Sequence, residues 1–230
     1  MFRGGYGALT VLRKHAVATL AAMMLPAPLL AGALTLTAMG DSLTQGYGLP
    51  QEQGFVPVLE QWLRDRGHDV NVINAGVSGD TTAGGLARIG WTLADSPDAL
   101  IVAFGGNDLL RGIDPAASRA NLAGILQAAA DGGVPVLLAG LPAPGNFGPD
   151  FQRDFEAMYT ELAEEYGTLL VADFLAPITA EVQAGRPIAG LMQSDNIHPA
   201  PEGVRRIVDA LGPEVERLLE RAAAARDGAG

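Results

Sequence analysis

Between residues 34 and 225, short apolar runs alternate with longer segments whose apolar positions recur every three or four residues. The short runs are 34–39 (LTLTAM), 69–75 (DVNVINA), 98–106 (DALIVAFGG), 134–140 (VPVLLAG) and 168–174 (TLLVADF). They are bounded by glycine, proline or aspartate and read as five strands. The run at 98–106 has no polar alternation, as a strand buried on both faces requires. The longer segments, 54–67, 81–95, 115–133, 150–167 and 200–225, read as helices. In the first, Val58, Leu59, Trp62 and Leu63 share one helical face. The third opens at Pro115 behind Asp114 and stops at a glycine pair. Pro213 marks a place where the last could kink, and residues 226–230 read as a frayed tail.

This alternation argues for an α/β fold with a parallel sheet covered on both faces and right-handed crossovers. No repeat or linker divides residues 34–225, which form one domain. In such sheets ligands bind at the carboxyl ends of the strands. The rule sorts the polar residues. Ser42, Gly79, Asn107 and the loop after Leu141 all follow strands and share that edge, whereas His68 precedes a strand and lies at the other.

Composition narrows the chemistry. The 230 residues include no cysteine, which excludes thiol nucleophiles, disulfides and thiolate metal sites. Lys14 is the only lysine, and His15, His68 and His198 are the only histidines, too few for a His-rich metal site. Residues 1–33 read as an export signal. Arg3, Arg13, Lys14 and His15 supply the basic part, an apolar stretch follows, and Ala31-Gly32-Ala33 offers a small-residue cleavage site. An uncleaved membrane anchor is the other reading, which Pro26 and Pro28 disfavour. Losing that segment would move the net charge from −11 to −14, a poor balance for nucleic-acid contact. The rest of the chain holds no other long apolar run, so no stable membrane insertion is expected after cleavage.

Four polar blocks fall on the strand-carboxyl edge. In GDSLTQG (40–46), Ser42 is either the cap of the next helix or a nucleophile, which needs a neighbouring base. The spacing is not the G-x-S-x-G elbow. In SDNIHP (194–199), Asp195 and His198 stand three apart, so one short turn can hold the carboxylate against one ring nitrogen and leave the other as base. An Asx turn beside a surface histidine is the plainer account. In NAGVSGDTT (74–82), Gly79 can present an unobstructed N–H to a developing oxyanion, with Asp80 as the helix cap, or can be an ordinary turn. In FGGNDLLRG (104–112), the Asn107 amide can donate to the same oxyanion or close a turn, and Asp108 can support it or cap a helix. Independent caps and turns would rarely supply a nucleophile, base, orienting acid and two oxyanion donors together.

With MGDSLTQGYG, NAGVSGDTTAGGLARI, VAFGGNDLLRG and DNIHP in this order, the chain resembles the SGNH (GDSL-type) hydrolases. Within them it is similar to the periplasmic thioesterase I, arylesterase and lysophospholipase branch, over roughly residues 34–215. The resemblance implies a three-layer α/β/α sandwich with a five-stranded parallel sheet in flavodoxin-like order. It implies Ser42 as nucleophile, His198 as base and Asp195 as its orienting acid, with Ser42, Gly79 and Asn107 forming the oxyanion hole. It implies neither cofactor nor metal. It implies a serine esterase acting through an acyl-enzyme on short-to-medium acyl or aryl esters, lysophospholipids and thioesters. Leu109, Leu110, Ile113, Leu141 and Phe147 are the candidates for an acyl groove, or else ordinary loop packing. A carbohydrate O-acetyl esterase of the same fold and a non-catalytic secreted binding module are the competing readings. The sequence leaves oligomeric state open, with a monomer favoured, and the export signal implies a periplasmic or secreted protein.

Overall fold

The computed structural model describes Met1 and residues 32–228. Residues 2–31, where the basic and apolar parts of the expected export signal fall, and 229–230 lie outside the described residues. The elements are β1 (Leu34–Gly40), α1 (Ser42–Gln45), α2 (Phe55–Asp65), β2 (Val70–Gly76), α3 (Thr82–Ala94), β3 (Ala99–Ala103), α4 (Gly106–Leu110), α5 (Pro115–Asp131), β4 (Val136–Ala139), α6 (Pro149–Tyr166), β5 (Leu169–Val171), α7 (Ala176–Gln183) and α8 (Pro201–Gly228). The strands pair in parallel in the order β2-β1-β3-β4-β5, so strand order reverses between β1 and β3. Among the described residues no helix is long and apolar enough to cross a membrane.

The period-2 geometry of a strand divides the apolar residues between two cores. Leu36, Ala38, Ile101 and Leu137 pack with Leu59 and Leu63 of α2 and with Val208, Leu211 and Leu218 of α8. Met39, Leu100, Val102 and Leu138 pack on the other face with Ile89 of α3, Leu122 and Ile125 of α5 and Phe155 and Leu162 of α6. This is why β3 shows no polar alternation. The edge strand β2 does alternate at its start, with Val70 and Val72 buried and Asn71 and Ile73 exposed.

Two helices, α4 and α7, are too short to show a 3.6-residue period and go unread in the sequence, and the four-residue α1 shows there only through its possible cap. The last helix also runs further than expected. It passes through Pro213 without ending, and Arg226–Gly228 belong to it rather than to a frayed tail. There the Arg226 guanidinium donates to the Gly32 carbonyl at 2.9 Å.

The end of β1 is crowded. A side chain at Gly40 would place a Cβ against the Thr44 hydroxyl and 2.6 Å from the Ala103 carbonyl of β3. Only a glycine lets the strand turn here into α1. Gly40→Ala is therefore expected to cost about 1–3 kcal/mol through overpacking. Thermal unfolding should read this as a melting point several degrees lower; an unchanged melting point would mean the strand end has room to spare.

Candidate active site

The turn from β1 into α1 places the first functional side chain. Asp41, not Ser42, is the cap: its Oδ1 accepts from the Leu43 N–H at 3.0 Å. Ser42 becomes the first helical residue, where the helix leaves its N–H without an internal partner. The helix closes at Gly46, whose N–H donates to the Ser42 carbonyl.

The segment between α7 and α8 brings in the other half. Asp195 does both of the jobs between which the sequence left a choice. Its Oδ1 accepts from the Ile197 and His198 N–H groups at 2.9 and 3.0 Å, closing an Asx-type turn. Its Oδ2 lies 2.7 Å from His198 Nδ1. Those hydrogen bonds, the one to the His198 ring foremost, hold the Asp195 carboxyl well below the usual carboxylate range. With Nδ1 donating to Asp195, His198 Nε2 is left as acceptor for the Ser42 hydroxyl at 2.9 Å. The Tyr47 ring sits 4.6 Å from the imidazole, centre to centre. Gln193 ties this segment to the loop after α1, donating from Nε2 to the Tyr47 and Pro199 carbonyls at 2.8 and 3.0 Å.

Gly79 and Asn107 reach the same place from the ends of β2 and β3. Gly79 has φ +82°, in the left-handed region that favours glycine. Its carbonyl is drawn outward by the Arg111 guanidinium at 2.8 Å. Asp80, expected to cap α3, does not; Thr81 does, through its hydroxyl to the Gly84 N–H. Asp80 instead pairs with Arg88 at 2.8 Å, and Arg88 also donates to the Ala75 and Gly40 carbonyls, pinning the Gly79 loop to the ends of β2 and β1. Asp108 is fully buried and accepts from the Thr82 N–H, the Thr82 hydroxyl and the Ser118 hydroxyl at 2.6–2.9 Å, binding α4 to α3 and α5. His68 lies apart, paired with Glu216.

Ser42, Gly79, Asn107 and His198 line one cavity of about 400 Å³. Its walls are largely apolar: Leu43, Leu109, Leu110, Leu141, Pro142, Leu175 and Ile197. Three of the five expected groove residues are therefore present. Ile113 and Phe147 are not among the lining residues. The chain turns at Gly112 before Ile113, and Phe147 packs on Phe151, 4.8 Å between ring centres. Leu175, Pro142 and Ile197 were missed, although each follows a strand or flanks the histidine and the edge rule could have found them. Among the described residues no group of three or more His, Asp and Glu could hold a metal ion.

Asp41 was missed as well. It lines the cavity, is 2% exposed, and accepts from Asn107 Nδ2 at 3.3 Å. Burial pushes its carboxyl up to about 6, against the hydrogen bonds from Leu43 and Asn107. An acid whose folded pKa is raised binds its proton more tightly when folded. Its contribution is intact below the unfolded value near 3.8 and falls away as pH rises toward 6. Asp41→Asn keeps a capping side chain and removes the charge. It is expected to be more stable than the wild type at pH 8 by on the order of 1–3 kcal/mol, seen as a higher melting temperature, with the difference vanishing near pH 4. Equal melting points at both pH values would refute the shift.

Comparison with known proteins bears on the chain as a whole. Residues 38–206 match the model of the GDSL-like Lipase/Acylhydrolase family. The chain is 41% identical over 190 residues to the esterase TesA of Pseudomonas aeruginosa, covering 82% of this chain and 91% of that protein. It is 32% identical to thioesterase 1/protease 1/lysophospholipase L1 of Escherichia coli K12, covering 82% and 86%. Among solved structures, it superposes on AlinE4, an SGNH-hydrolase family esterase, with a TM-score of 0.65 and 44% identity, covering 83% of this chain and 98% of that one.

Proposed function

The chain belongs to the GDSL-like lipase/acylhydrolase family of ester hydrolases, and we propose that it works through a serine relay in which Ser42 attacks, His198 moves the proton and Asp195 holds the imidazole. The observation that carries this reading is the unbroken chain of contacts Asp195–His198–Ser42, at 2.7 and 2.9 Å, opening into the apolar cavity. His198 Nε2 takes the Ser42 proton as Oγ bonds to the substrate carbonyl carbon. The carbonyl oxygen becomes an oxyanion, met by the Ser42 and Gly79 N–H groups and Asn107 Nδ2. The tetrahedral intermediate then breaks its bond to the leaving alcohol or thiol, which takes the proton from His198, and an acyl-Ser42 ester remains. Water, deprotonated by the same nitrogen, attacks that ester, and the acid departs as Oγ regains its proton.

The cavity walls favour an acyl chain over a sugar. A carbohydrate ester would need several hydrogen-bonding side chains around the ring, whereas the walls here are mostly leucine, proline and isoleucine. Among the described residues, Ser78 and Asn196 are the only polar lining side chains besides Asp41, Ser42, Asn107 and His198. The volume falls within the roughly 300–1,000 Å³ of small-molecule sites. We therefore read the substrates as short-to-medium acyl or aryl esters, with thioesters and lysophospholipids within reach of the same chemistry. Residues 1–33 support the reading of an exported, periplasmic or secreted enzyme.

Ser42→Ala is expected to abolish turnover of a p-nitrophenyl ester series from acetate to palmitate, with circular dichroism unchanged. His198→Ala should do the same. Asp195→Asn should reduce kcat by roughly 10⁴-fold by favouring the wrong tautomer. Full activity in Ser42→Ala would overturn the relay. An optimum at acetate alone, with longer chains refused, would favour the acetyl-esterase reading instead.

A further inference from the structure

The most deeply buried carboxylate in the cavity wall is one that the relay leaves idle. Asp41 commits both oxygens: Oδ1 to the Leu43 N–H and Oδ2 to Asn107 Nδ2. A carboxylate can only accept, whereas a primary amide donates at one end and accepts at the other. The amide oxygen of Asn107 cannot settle against Asp41, so the NH₂ end must. We infer that Asp41 is a positioning residue that selects the orientation of the Asn107 amide, so that one N–H is spent on Asp41 and the second is left to the oxyanion. This inference rests on the oxyanion role proposed above for Asn107.

The geometry gives Asp41 a reason to be an acid and not another helix cap. Asparagine, serine or threonine would cap α1 equally well. An asparagine at this position that offers its oxygen to Leu43 turns its own NH₂ toward Asn107. Two donors then face each other, and relief comes when the Asn107 amide rotates by half a turn. That rotation puts a carbonyl oxygen where the oxyanion forms, replacing attraction with repulsion. Serine keeps the cap but is too short to reach Asn107, so the amide is merely released. The expected order of turnover is wild type, then Asp41→Ser, then Asp41→Asn, which is the reverse of what steric similarity to aspartate alone would give.

The test is a double-mutant cycle read in kcat and KM on p-nitrophenyl butyrate at pH 8, where Asp41 is ionised, with folding checked by circular dichroism. Asp41→Asn is expected to lower kcat by about 10²-fold, comparable to Asn107→Ala, with KM changed less than about twofold. In the Asn107→Ala background it should cost less than about threefold, because nothing is left to orient. Asp41→Ser, which adds no opposing donor, should lose less than Asp41→Asn and serves as the check should the Asn variant not fold. A kcat in Asp41→Asn within threefold of wild type overturns the inference. So does a loss as large in the Asn107→Ala background as in the wild type, since Asp41 would then act by another route. If Asn107→Ala itself keeps wild-type kcat, the oxyanion assignment fails and this inference with it. If Asn107→Ala is impaired while Asp41→Asn is not, only the inference about Asp41 falls.

Discussion

Everything in this molecule is arranged around the reversal of strand order between β1 and β3. Parallel crossovers are right-handed almost without exception. Moving outward from β1 to β2 therefore places α2 on one face. Moving back across the sheet from β2 through β3, β4 and β5 places α3, α5 and α6 on the other. The half of the first face left uncovered is filled by α8, which packs on α2. At the reversal, the loops after β1 and β3 part toward different layers and leave a crevice. Ser42 stands on one lip of it and Asn107 on the other, so the handedness of the polypeptide decides where chemistry can occur.

The crevice is kept in shape by buried polar groups rather than by apolar packing alone. Asp108 gathers the starts of α3 and α5 around α4, and Arg88 fastens the Gly79 loop to two strand ends. Such networks stabilise only when every member is satisfied. Here the acceptors on Asp108 are met by three donors. Asp41 is the less comfortable partner. Its charge is disfavoured by burial, and it lies beside Asn107, to which the proposed mechanism assigns the oxyanion. Functional sites commonly hold such unfavourable groups at some cost to stability.

The five strands and their order along the chain were legible because apolar periodicity survives in the sequence. The edge rule gathered Ser42, Gly79 and Asn107 at one edge, and with His198 they line one cavity. Three kinds of feature were not legible. Helices as short as α4 and α7 carry too few turns to reveal a face. The cap expected for α3 lay one residue off, at Asp80 rather than Thr81, and the cap weighed for Ser42 belongs to Asp41, because all four are competent caps and only backbone geometry chooses among them. Finally, loop residues at similar distances along the chain part company in space. Leu110 reaches the cavity while Ile113, three residues on, does not, since the turn at Gly112 intervenes.

The Ser42–His198 hydrogen bond spans 156 positions of sequence. Contacts this distant are among the last a chain can close, because the loop entropy has to be overcome before the contact offers anything in return. In the proposed relay, Ser42 emerges near the start of synthesis, and His198 only after the fifth strand has been made. On that relay, an incomplete chain carries Ser42 with no imidazole beside it. Hydrolytic competence would then arrive as a single late event, reporting that the whole sheet has been assembled in register.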